Sequence, residues 1–248
     1  MATNAAKPRF EVRLTRERLF YSGMALLIFT LVVIGFAPTW FLRGAVPPAR
    51  PLHPMTPLVM LHGTLFTSWI ILFVTQAGLI SARQHKIHMK LGLATIALGA
   101  TMVVVGLLTA AAQVGRGTSP PGIAPLSFFA IPFGDMIVFA GLIAGGFFAR
   151  RDPQTHKRLM LCATALMLQP GVGRMEFLPL FLGEETTAIL AFLLATPLLA
   201  WDFMQRGRPH RATLIGLAAL GGEQLVRIAI WRTDTWLSAA AWIVKALS

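Results

Sequence analysis

The chain has 248 residues, of which 55% are hydrophobic and 13% charged, and its mean hydropathy is +0.66. Soluble domains carry about a quarter charged residues, so water is excluded as the solvent for most of this chain. The formal net charge of +12 falls in short clusters between apolar runs, which is the punctuation of membrane topology and argues against a nucleic-acid surface.

A helix crossing about 30 Å of hydrocarbon needs about 20 apolar residues. By that ruler the sequence predicts one transmembrane domain over residues 1–248, an all-α integral membrane bundle of seven helices. The basic segment MATNAAKPRFEVRLTRER leads into the first span, 19–42; the apolar run reaches Trp40 with no convincing small-x-small cleavage site, so it reads as a retained span and not a signal peptide. Further spans are expected at 56–80, 90–114, 131–149, 157–180, 186–204 and 211–231. A tail over 235–247 carries Trp236 and Trp242, which suit an interfacial segment or an eighth partial helix.

Lys and Arg orient the chain. Lys7, Arg9, Arg13, Arg16 and Arg18, then Arg83, Lys86 and Lys90, then Arg150, Arg151, Lys157 and Arg158, then Arg206, Arg208 and Arg211 alternate with sparsely charged loops. The positive-inside rule puts these clusters and the N-terminus in the cytoplasm and the C-terminus outside. The opposite loops, RGAVPPARPLHP and GRGTSPPGIAP, are rich in proline and glycine, which favour extended or turning backbone. Cys162 is the single cysteine, so no intrachain disulfide forms.

In the second span, His62, Phe66, Trp69, Phe73 and Gln76 share one helical stripe, polar at both ends and aromatic between. Such a stripe belongs inside the bundle, where His62, Trp69 and Gln76 either bond neighbouring helices or line a ligand face. The fifth span is interrupted by QPGVGRMEF. Pro170 removes a backbone hydrogen bond, the glycines permit a bend, and Arg174 and Glu176 each need a partner. Asp135 in the fourth span and the Glu223–Arg227 pair in the seventh lie at a comparable depth. His62, Asp135, Arg174, Glu176, Glu223 and Arg227 are therefore expected to form one polar cluster in the outer half. It reads either as a structural ion-pair network or as a site that binds, and in one version transforms, a small or lipophilic ligand. In the catalytic version Glu176, Asp135 and Glu223 handle protons, Arg174 and Arg227 balance charge, and His62 acts as base or ligand.

The pattern H-x-[KR]-L-x-L occurs at His88 and again at His156, each opening an outward-going helix. Two imidazoles at one depth on facing helices are the arrangement that holds haem b, which would make the protein an electron carrier exchanging with quinone. Membrane-edge histidines also meet headgroups, so both readings stand. A third is an accessory subunit of a larger membrane complex. No phosphate-binding glycine loop, dinucleotide fingerprint or nucleophile elbow appears, and Lys245 lies too near the end of the chain to serve a retinal Schiff base.

The run LHGTLFTSWIILFVTQAGLI, then RQHKIHMKLG, then DPQTHKRLML followed by an arginine resembles uncharacterised bacterial polytopic membrane proteins over roughly the second to fifth spans. The resemblance implies a bacterial-type inner membrane and assigns no catalytic residue.

Overall fold

The computed structural model describes residues 9–48, 52–120, 122–175 and 184–247. It is all-helical among these residues, apart from an isolated bridge between Arg43 and Val46. In chain order the helices are α1 (Arg9–Phe36), α2 (Pro57–Ser81), α3 (His85–Gly115), α4 (Pro125–Phe128), α5 (Ala130–Phe148), α6 (Pro153–Ala165), α7 (Leu168–Val172), α8 (Glu184–Ala195), α9 (Pro197–Arg206), α10 (Arg211–Ile230) and α11 (Asp234–Leu247).

Six helical stretches among the described residues are long and apolar enough to cross a bilayer: Arg16–Phe41, Pro57–Ser81, His85–Gly115, Pro125–Arg151, Glu185–Arg206 and Arg211–Ile230. The chain is accordingly a multi-pass integral membrane protein. The expected span over 157–180 is not among the six, because its described part is divided into α6 and α7. Pro170 has no N–H to give the Leu166 carbonyl, and the helix breaks at Leu166 and Met167 before resuming. A second break, at Thr196 before Pro197, separates α8 from α9, which together cover the expected 186–204 span.

Hydrogen bonds group the helix ends. Ser22 meets Ser81 at 2.8 Å, Lys157 pairs with Glu17, and the His210 backbone N–H donates to Asp202 at 2.8 Å. These gather the first half of α1, the end of α2, the starts of α6 and α10 and the second half of α9 at one cationic end. At the opposite end Arg116 donates to the Pro54 carbonyl at 2.9 Å and Trp236 to the Leu126 carbonyl at 3.0 Å. Cap residues fix several starts: Thr56 for α2, Asp152 for α6 and His210 Nδ1 for α10 each accept a backbone N–H of the first turn.

The most polar passage is the most enclosed. From Arg158 to Gln169 every residue is buried, with α5 and α10 beside α6 and α1 beside α7. Hydrocarbon would meet Arg158, Thr164 and Gln169 at high cost, whereas the centre of the bundle supplies partners. Leucines, isoleucines and valines on the outer helices, such as Leu93, Val104, Leu225 and Val226, remain exposed, as lipid-facing side chains do. The tail forms α11, which buries Trp236 and Ala240 against Phe129 and leaves Trp242 outward.

Candidate functional site

The α2 stripe faces inward against small residues of α3. Trp69 is fully buried, donates its Nε1–H to Thr164 Oγ1 at 3.2 Å and meets Phe139 edge-on at 5.0 Å. It fits because a Cβ at Gly99 would come within 3.0 Å of its ring. Phe66 lies over Gly106, and His62 stacks on Phe66 at 4.0 Å. At the cationic end Gln76 Nε2 donates to the His88 carbonyl and to Thr95 Oγ1, both at 3.3 Å, which ties α2 to the first turns of α3.

That clamp holds one member of a histidine pair. His88 and His156 are each the fourth residue of their helix, α3 and α6, and their ring centroids lie 6.2 Å apart with planes at 86°. The fixed points behind them differ. His156 Nδ1 is 2.8 Å from the Gly146 carbonyl, a contact that sets Nδ1 as the donor and leaves Nε2 with a free lone pair. The carbonyl can come so near because α5 and α6 are tightly apposed: a Cβ at Gly146 would reach 2.8 Å from Met160 Sδ. His88 Nδ1 is buried without a hydrogen-bond partner.

Two imidazoles bound on opposite sides of one metal at about 2.0 Å each place their ring centroids about 6 Å apart, and at a tetrahedral angle about 5 Å. The observed separation meets that requirement, and a carbonyl on the far ring nitrogen is the usual support of a ligating histidine. Among the described residues no group of three or more His, Cys, Asp or Glu could hold a metal ion. A bare divalent ion takes four or more donors, so two imidazoles are a complete protein contribution only where a macrocycle supplies the rest. The rim suits such a group. Lys86, Lys90 and Arg151 flank the two histidines in sequence and none has a carboxylate partner among the described residues.

No protein family, curated protein or solved structure matches the chain. The chemistry of its sites therefore rests on their own geometry.

Next to the histidine pair lies a network that the sequence reading did not single out. Arg158 is paired with Asp202, with 1% and 0% of their side chains exposed. Arg158 Nη1 also donates to the Gln154 backbone carbonyl at 2.9 Å and to Gln154 Oε1 at 2.7 Å, while Asp202 accepts from Thr213 and the His210 N–H. Lys157 lies 4.8 Å above the Tyr21 ring as well as against Glu17. In sequence Arg158 looks like one more cationic-end residue. The readable signal was Asp202, an acid within the otherwise apolar run PLLAWDF.

At the opposite end the expected cluster is assembled in part. Asp135 of α5, Arg227 of α10 and Gln169 of α7 are buried near one another, and the Glu223 side chain of α10 beside them is 6% exposed, with Arg227 Nε 3.9 Å from Glu223 Oε1 and Nη1 donating to Gln169 Oε1 at 3.3 Å. Arg174 stacks on Phe36 at 4.3 Å, donates to the Pro170 carbonyl at 2.8 Å and lies within electrostatic reach of His62. Glu176 lies outside the described residues. His62 keeps its ring on Phe66, with Nδ1 buried and without a hydrogen-bond partner. Gln169 is the member sequence reasoning left unassigned, although its place beside Pro170 within an apolar run was visible.

Proposed function

We propose that this protein is a haem-b electron carrier of the membrane, with His88 and His156 as the residues that would hold the haem. The observation that carries the reading is the 6.2 Å separation of the two rings, each mounted on the first turn of a different helix. The Gly146 carbonyl fixes the tautomer of His156, and Gln76 holds the turn that presents His88. Lys86, Lys90 and Arg151 offer charge to the two propionates. The haem, when bound, supplies one-electron chemistry; the polypeptide supplies ligands, a low dielectric and an orientation fixed by packed helices. The electron partner on this reading is a lipid-soluble carrier of the quinone class. The fifth passage, α6 with α7, completes seven crossings, with the cationic end and N-terminus in the cytoplasm of a bacterial-type inner membrane.

Detergent-purified protein, expressed with ample haem, tests the reading. The expected result is a Soret band with sharp α and β bands on dithionite reduction and about one iron per chain. His88→Ala and His156→Ala should each lose most of the bound haem while retaining helical content by circular dichroism. A wild-type protein that folds without a haem spectrum would overturn the assignment.

A further inference from the structure

The opposite end of the bundle has a charge deficit. Asp135 is 8% exposed and its Oδ1 has no hydrogen-bond partner; Glu223 has 6% of its side chain exposed and both of its carboxylate oxygens lack one. Three buried carboxylate oxygens are thus unsatisfied within one small group. The single cation at hand among the described residues is Arg227, whose Nε is 3.9 Å from Glu223 Oε1 and whose Nη1 is committed to Gln169. Two carboxylates against one guanidinium leave one negative charge uncompensated. In a low-dielectric interior an unpaired charge costs several kcal/mol, so it is neutralised or matched where it lies.

What restores the balance is one positive charge within reach of both acids. A Cβ at Gly134 would fall 2.4 Å from Glu223 Oε1, so that carboxylate lies directly on the α5 backbone beside Asp135. We propose that Asp135 and Glu223 share one exchangeable monovalent cation, a proton or Na⁺, beside Arg227. Both candidates supply the same thing, one positive charge for oxygen donors, and carboxylate oxygens suit a hard cation. Buried acids of this kind mark ion and proton pathways in membrane proteins. The site stands apart from the histidine pair, so either assignment can fail without the other.

Infrared spectroscopy of the purified protein at neutral pH, in H₂O and D₂O, is compared with thermal unfolding in NaCl and in choline chloride. A protonated-carboxyl C=O band that shifts in D₂O and is lost in Asp135→Asn or Glu223→Gln identifies the proton. Absence of that band, with a melting temperature raised by Na⁺ and not by choline in wild type and insensitive to Na⁺ in Asp135→Asn, identifies Na⁺. Neither signature in the wild-type protein overturns the proposal, whether or not the variants fold. Asp135→Asn should keep its full haem content, which separates this test from that of the histidine pair.

Discussion

A guanidinium with 1% of its side chain exposed, in a chain whose outer surface is largely hydrocarbon, has to be satisfied where it lies. Arg158 is satisfied by Asp202 and Gln154, and Asp202 in turn by Thr213 and a backbone N–H. Removing one partner strands the other, so Asp202→Ala should lower stability by about 3–5 kcal/mol in a denaturation measurement. Replacing both Arg158 and Asp202 by apolar residues of similar volume should recover most of that loss, because no unpaired charge then remains. A double variant as unstable as the single one would show that the pair acts through packing and not through charge. At this scale the sequence was legible where a residue's own helix declared its direction. The His62–Gln76 stripe faces inward as its spacing requires, and Trp69 is enclosed. Arg158 was illegible because the partner that buries it lies 44 residues away, and nothing local distinguishes it from Lys90, its counterpart in the repeated motif.

Helices are held together here by small residues and started by caps. A Cβ at Gly35 would sit 2.0 Å from the Gly171 carbonyl oxygen, so α1 and α7 touch backbone to backbone. Gly35→Val should destabilise the protein by roughly 1–3 kcal/mol, the cost of overpacking a close contact that neither backbone can vacate, read from detergent thermal unfolding. An unchanged melting temperature would mean that α1 and α7 separate readily. Asp152 caps α6 and its carboxyl is held below the usual range, first by the Thr155 hydroxyl and then by backbone N–H groups of the first turn. A carboxylate with a lowered pKa stabilises above its unfolded-state value and loses that contribution as pH falls through the folded-state value. Asp152→Ala should then be less stable than wild type near neutrality by about 0.5–1 kcal/mol, since the group is exposed, with the difference closing in acid. A gap that stays constant with pH would place the effect outside the carboxylate. The kink at Pro170 was legible because proline acts locally. The division of α8 from α9 at Thr196 was equally marked by Pro197, yet an uninterrupted apolar run hides a break that costs little hydropathy.

Across the whole molecule, six apolar helices surround a short, polar and broken passage, α6 with α7, which hydropathy alone grades poorly because its residues answer to protein and not to lipid. The histidine pair and the acid pair lie at its two ends. His156 faces His88 where the passage begins, and Gln169 meets Arg227 where it ends. Sequence spacing placed the two histidines at one depth, but only the fold brings their rings to one point and supplies the carbonyl behind one of them. Asp135, Glu223 and Arg227 were likewise matched by depth, while the close approach of Glu223 to the α5 backbone depends on Gly134. The proposed function requires one iron held jointly by His88 and His156. Low-temperature electron paramagnetic resonance of the air-oxidised protein tests this most directly. A single low-spin ferric species, converted to a high-spin or haem-free form by either His88→Ala or His156→Ala, is the predicted result. A haem that stays low-spin in both variants, or a folded protein without ferric signal, would contradict it.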